Sequence, residues 1–392
     1  MRPLGSDPNQ LAEAAVALRR TIHANPETAF EEISTARLVA ERMRARGLDV
    51  RTEVGTTGVV ALLDSGRPGK TVLLRADLDA LPVEERTGLP FAATNGKMHA
   101  CGHDGHVAAL DMAADLLILE PPASGRVLFA FQPAEEGTGG ATAMIAGGVL
   151  DDPRPDAVFA LHLWTPLPLG TVGVAAGPVM AAVDEFRISI TGPGGHAASP
   201  HETRDTVLAA AHVVGGLPSV VSRRLPPLQP ALVSVTSIHG GTAFNVVPEE
   251  VVLTGTCRAF DAESIARLPG LVADVAAAAA TVTGCRAETT YLQKSRAVVN
   301  DPAEAARAAR VAALLVGEMN VTADCRTMGG EDFSEFLARV PGAFVFVGAA
   351  RADEPDGRLR PHHAPVFDFD ERALPLAARL HAAWARSALA GA

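Results

Sequence analysis

At 392 residues and 48% hydrophobic side chains, the chain can bury one or two full cores, and two domains fit its length better than one. Its 34 Lys and Arg against 45 Asp and Glu leave a formal net charge of −11, which argues against a nucleic-acid phosphate backbone as main partner and leaves small ligands. The opening MRPLGSDPNQ is polar, no run reaches the ~18 apolar residues of a spanning helix, and Cys101, Cys257, Cys285 and Cys325 are widely spread, so the expectation is a cytoplasmic protein with reduced thiols and no membrane contact.

In chain order, helix-period segments at 9–23, 32–46, 104–119 and 138–146 alternate with short apolar runs at 58–63, 71–76, 126–131 and 157–162. That alternation predicts an α/β layer fold, helices packed on a mainly parallel sheet. From Asp184 the order changes to strand 184–191, helix 203–217, strands 231–239 and 250–258, helix 262–283 and strand 286–292. This βαββαβ order is the split ferredoxin-like unit, an α+β domain. After Val298 the first pattern resumes, with a helix at 302–317, the strand AFVFVG at 343–348 and a closing helix at 370–388. The expected division is therefore a larger domain, 1–183 and 297–392, with a smaller one, 184–296, inserted into it.

The chemistry concentrates where strands end. MHACGHDGH (98–106) sets Cys101 and His103 two apart between His99 and His106, a pair that extended chain would point to one side. Thiolate and neutral imidazole are donors that Zn and its neighbours prefer, although a solitary Cys or His is more often a packed core residue. FQPAEEG (131–137) closes an apolar strand with Glu135 and Glu136 after a proline that cannot continue a ladder. Adjacent carboxylates diverge, so one can ligate while the other shuttles a proton; an isolated pair would read as a solvated acidic turn. DAVFALHLW ends a further apolar strand in His162, whose ring nitrogens need partners there. HHAPVFDFDE (362–371) brings His362 and His363 before the last helix, where a lone doublet would be a polar loop. Five donors from four separated segments suit two ions with coordination positions left open for water, the mark of a catalytic site.

The chain resembles the dinuclear-metal aminoacylases and amidohydrolases of peptidase family M20, subfamily D, which include hippurate and auxin-conjugate hydrolases. The resemblance runs nearly end to end, through RRTIHANPETAFEE (19–32), LRADLDALPVEE (74–85), MHACGHDGH, FQPAEEG, LHLWTPLPLG (161–170), GPGGHAASPH (192–201), GGTAFNVVP (240–248), GTCRAFD (255–261), MGGEDF (328–333) and HHAPVFDFDE. It implies a zinc-peptidase-like catalytic domain and an inserted lid and dimerisation domain, hence a homodimer. It implies that Cys101, His103, Glu136, His162 and one C-terminal histidine hold two divalent ions, Zn or Mn with Co or Ni as further options, and that Glu135 is the general acid/base. The family's His-x-Pro-x-aromatic block aligns with His363, and His362 stays open as the alternative. Where many relatives outside the subfamily carry a His-x-Asp ligand, this sequence reads Asp77-Leu78-Asp79, so Asp77 and Asp79 become groups that orient imidazoles, with a strand-end turn an equal reading for Asp77.

From the same resemblance, His196 would steady the developing oxyanion in a partner's site, while Asn245 and Arg258 would grip a substrate carboxylate. A turn residue and a surface strand cation are the plain alternatives for the last two. His201, His239 and Gly329-Gly330 are further candidates for the pocket wall, His23 reads as a helix-end cap, and Cys257, Cys285 and Cys325 as small packed groups. The expected reaction is amide cleavage of N-acyl amino acids by activated water. A metal-dependent dipeptidase or carboxypeptidase, and a non-catalytic binding protein with a structural metal site, are the rival readings.

Overall fold

The computed structural model describes residues 7–137, 139–353 and 359–390. It falls into two compact units, one formed by Met1–Val179, Val298–Arg326 and Glu331–Ala392, the other by Met180–Ala297 and Thr327–Gly330.

The first unit is built on a sheet ordered Asp49–Val54, Gly58–Asp64, Arg126–Gln132, Thr71–Asp77, Ala157–Trp164, Gly342–Gly348, Val172–Gly173, Val321–Thr322. Its middle strands, from Arg126–Gln132 to Gly342–Gly348, run parallel. Thr71–Asp77 and Gly342–Gly348 are buried at every position, which for a pleated strand means that both faces are covered, the condition under which parallel strands occur. The hairpin Asp49–Asp64 adds antiparallel strands at one edge. Its outer member, DVRTEV, is mostly exposed and polar, so it lacks the apolar run by which the other strands announce themselves. Helix His103–Leu119 packs against Pro8–His23 and Leu374–Leu389, and its near-total burial reflects a position between them. The segment expected as helix 138–146 forms Gly140–Ala146, and Thr138 lies outside the described residues, as do the first six residues of the polar opening.

The second unit is a four-stranded antiparallel sheet, Ala231–Gly240, Glu250–Ala259, Ala182–Thr191, Arg286–Ser295 in spatial order, with helices Thr206–Gly216 and Ala262–Val282 packed against it. In chain order this is βαββαβ, and the alternating burial of Ala182–Thr191 and Glu250–Ala259 shows one face turned to the core of Phe186, Ile188, Ile190 and Leu253. Ala262–Val282 is 21 residues long with a mean hydropathy of 1.5 in its most apolar window, enough by length and composition to cross a membrane. Glu263, Arg267 and Asp274 interrupt it, so it contains no unbroken run of ~18 apolar residues even though its average is high. The helix buries Leu268, Leu271, Val272, Ala276 and Ala280 within its own unit.

Candidate active site

Cys101 and His103 do not lie on extended chain. Gly102, at φ 89°, adopts the left-handed conformation that caps helix His103–Leu119, so the pair straddles a turn. Glu135 and Glu136 follow strand Arg126–Gln132 in a turn where Ala134 takes φ 52°. That geometry is held by Glu32, whose Oε1 accepts from Ala134 N at 2.9 Å, and by Gly140 N donating to Ala134 O at 3.0 Å. His162 sits near the end of strand Ala157–Trp164. His363, at φ 68°, is fixed by its N–H to the Ala100 carbonyl, 2.8 Å away. The donors thus gather at the carboxyl ends of parallel strands, the usual place for a site in an α/β sheet.

The residues expected as metal ligands fall into overlapping three-residue donor groups. Cys101 Sγ is 3.4 Å from His162 Nε2 and 3.9 Å from His362 Nδ1. His363 Nε2 is 3.1 Å from Glu136 Oε1, yet that oxygen makes no hydrogen bond, a relation that suits two donors facing a common third atom. His103 Nε2 is 4.0 Å from Glu135 Oε2. Cys101 with His162 and His362, Cys101 with Glu136 and His363, and His103 with Glu135 and Glu136 each place their donor atoms within 4.8 Å of one another. Thiol, imidazole and carboxylate in this mixture fit borderline divalent ions such as Zn, Mn, Co or Ni.

The aspartates orient the imidazoles. Asp79 accepts His103 Nδ1 at its carbonyl oxygen, 2.9 Å, and Glu136 N at Oδ2, 3.0 Å, so one residue aligns two donors. Asp77 Oδ1 is 2.6 Å from His106 Nδ1, and Leu163 N donates to His106 Nε2 at 3.0 Å. Both nitrogens of His106 are therefore engaged. Hydrogen bonds of this kind fix tautomers and ring planes.

The charges are severe. Burial, then Glu331, Glu136 and Asp332, hold the Glu135 carboxyl well above the usual carboxylate range. Burial also raises Glu331 and Asp332, against the pull of Arg75. Burial and neighbouring His106 and His362 drive His162 well below the ordinary histidine value, leaving it neutral and able to donate a lone pair. His363 is raised to about 10 by Cys101 and Glu136, whereas burial and His363 lower His362 to about 3. Burial and Glu136 push the Cys101 thiol up. Crowded, buried acids of this kind favour a compensating cation.

Several residues essential to this geometry escaped the sequence reading. Arg75, 1% exposed, donates to Asp77, Gln132, Glu331 and Asp332 over 2.7–3.2 Å. Asp332 also accepts Gln132 Nε2 and Ala141 N, and its own N–H lies 3.4 Å from Glu135 Oε1. A guanidinium inside the apolar run TVLLRAD was the available signal, because such a charge must be paired. Arg19 likewise joins Asp104, beside His103, to Asp368 and Glu371, beyond His363, at 2.8–3.1 Å. His23 is not a helix cap: its nitrogens lie 2.8 Å from Asp104 and 3.1 Å from Glu85, both buried. His99 is buried and falls in none of the donor groups.

The other expected residues, Cys325 apart, belong to the second unit. His196 is exposed and pairs with Val246, and Ala197 N donates to the Asn245 carbonyl at 3.0 Å, so His196 and Asn245 share one short ribbon. Arg258 donates to Thr256 Oγ1 at 3.1 Å and to the Met328 carbonyl at 3.4 Å, next to the Gly329-Gly330 turn. His201 and His239 are exposed. Cys257 and Cys285, in the second unit, and Cys325, in the first, are buried free thiols.

Comparison with known proteins gives a consistent picture. The sequence model of peptidase family M20/M25/M40 matches residues 73–387. N-acetylcysteine deacetylase of Bacillus subtilis (strain 168) is 38% identical over 370 residues, 94% of each chain. Thermostable carboxypeptidase 2 of Saccharolobus solfataricus is 36% identical over 385 residues, 97% of this chain and 96% of its own. Among solved structures, the YXEP protein of Bacillus subtilis, a dinuclear metal binding peptidase from the M20 family, superposes with a TM-score of 0.83 at 32% identity, covering 98% of this chain and 100% of its own.

Proposed function

The chain belongs to peptidase family M20/M25/M40 and is a metal-dependent hydrolase acting on amides; from that premise we propose that it cleaves the amide bond of N-acyl amino acids, with two divalent ions held by Cys101, His103, Glu136, His162 and His363 and with Glu135 as general acid/base. Zn or Mn are the proposed ions, with Co or Ni able to substitute. The observation that supports this reading is that two neighbouring carboxylates, which share one donor group with His103, also have different further partners: Glu136 Oε1 faces His363, while Glu135 Oε2 lies near His103 and Oε1 by the Asp332 N–H.

Held by these residues, two divalent ions would supply Lewis acidity for the scissile carbonyl and for water activation. Glu135 Oε2 takes the proton of the attacking water and returns it to the leaving nitrogen. Asp79 keeps His103 and Glu136 aligned throughout, through its carbonyl and Oδ2. In the same reading His196 stabilises the oxyanion, Asn245 and Arg258 hold the substrate carboxylate, and the second unit serves as lid and homodimer interface. The enzyme acts on small molecules, in the cytoplasm, independently of nucleic acid or membrane.

The deacetylase relative supports an acylated substrate, and the carboxypeptidase relative favours a second reading in which a peptide bond is cut next to a free carboxylate. A non-catalytic metal-stabilised binder leaves Glu135 without a task. The discriminating experiment is a hydrolysis screen of acetyl-, benzoyl-, long-chain acyl- and indole-acetyl amino acids beside free-amine dipeptides, with Zn or Mn added after chelation. Preferred cleavage of acylated compounds supports the first reading, preferred cleavage of dipeptides the second, and no turnover with metal retained the binding protein.

A further inference from the structure

We propose that His362 is a metal-binding residue in its own right: its Nδ1 joins Cys101 Sγ and His162 Nε2 at one ion, while His363 joins Cys101 and Glu136 at the other. The inference rests on the two-ion reading above and adds a sixth protein donor to it.

The two adjacent histidines face different partners. His363 Nε2 lies 3.1 Å from Glu136 Oε1, and His362 Nδ1 lies 3.9 Å from Cys101 Sγ. The two donor groups share only Cys101. The positive φ of His363 places consecutive side chains in this way, at the backbone cost that such a conformation carries for a residue with a Cβ. The His362 ring is stacked on Trp164, with centroids 4.7 Å apart and planes at 20°, and is bordered by Phe367 at 4.7 Å. It meets His162 nearly edge-on, at 5.1 Å. Its position is set by this packing and by the contact of Nδ1 with Cys101 Sγ, while Nε2 is buried with no hydrogen-bond partner among the described residues. A phenylalanine would stack in this slot equally well without burying ring nitrogens, so packing alone does not account for a histidine. A ring locked between aromatic neighbours, with Nδ1 turned to a thiol and grouped with a second imidazole, is held in place as a ligand would be.

The test uses the full chain, stripped of metal and reloaded with Co²⁺. Bound Co²⁺ per chain and the free Co²⁺ at half-loading of each site are measured for the wild type, His362→Phe and His363→Phe, together with the thiolate-to-cobalt absorption that reports Cys101. The wild type is expected to load two ions. Each variant should weaken one ion at least ~10-fold, the loss seen when even a ligand-orienting group is removed, and the double variant should weaken both. His362→Phe loading both ions at the wild-type free Co²⁺ overturns the inference and leaves the two-ion reading intact. A wild type that loads fewer than two ions overturns that reading and this inference with it. If His362→Phe does not fold, a crystal structure of the Zn-loaded wild type decides: His362 Nδ1 at about 2.0–2.1 Å from an ion supports the assignment, and Nδ1 out of bonding reach of both ions overturns it.

Discussion

Arg75 Nη2 lies 2.9 Å from Glu331 Oε1, joining residues 256 positions apart inside the first unit. The same guanidinium contacts Asp77 and Asp332, so one buried cation balances three buried acids within reach of Glu135. Replacing Arg75 with Met leaves that charge uncompensated. Loss of one partner from a buried pair costs about 3–5 kcal/mol, and urea unfolding of Arg75→Met should show a deficit of that order. Unchanged stability would mean that the acids stay neutral without their arginine.

Glu135→Gln keeps the size of the side chain and removes its ability to move a proton. It should lower kcat by about 10²–10⁴-fold, with metal content and melting temperature unchanged. Metal analysis beside steady-state kinetics separates this from loss of a ligand, since Glu136→Gln should reduce bound metal as well.

His196→Ala should lower kcat by about 10²–10³-fold, the range for removal of one oxyanion donor, with full metal loading. An effect confined to KM would instead make His196 a substrate-positioning group.

Stability should depend on pH through His23. Burial by itself lowers its pKa, but Asp104 and Glu85 outweigh burial and raise it to about 9, against 6.5 for an ordinary histidine. A raised folded-state value means that the protonated ring's contribution is complete below about pH 6.5 and disappears as pH rises through 9. The difference is worth about 3 kcal/mol. Urea unfolding of metal-free protein from pH 6 to pH 9.5 should show a decline in the wild type that His23→Gln lacks; equal slopes would remove His23 from the account.

Much of this was legible in the chain because the responsible residues are local in sequence. The fully buried strands of the first unit are short apolar runs; Glu135 and Glu136 follow one, His162 lies near the end of another, and Cys101 and His103 stand at the start of a helix. The edge strand Asp49–Val54 left no apolar run because most of it faces solvent. The pairing of Arg75 with Glu331 was invisible for another reason: nothing local in TVLLRAD or MGGEDF tells which distant charge answers which. The conformation at Cys101 was misjudged because Gly102 bends the chain left-handed before the helix, a detail that ligand spacing does not carry. For the two C-terminal histidines, the sequence posed a choice, and the geometry gives each ring its own set of neighbours.

The most direct test of the central claim counts ions and turnover together. Metal-free protein is titrated with Zn²⁺ or Mn²⁺ while bound ion per chain and hydrolysis of an N-acyl amino acid are followed in the same samples. The account predicts no hydrolysis without metal, full rate on reaching two ions per chain, and loss of both binding and rate in Cys101→Ala. Hydrolysis at full rate by protein that holds no ion, or undiminished two-ion binding by Cys101→Ala, would contradict it.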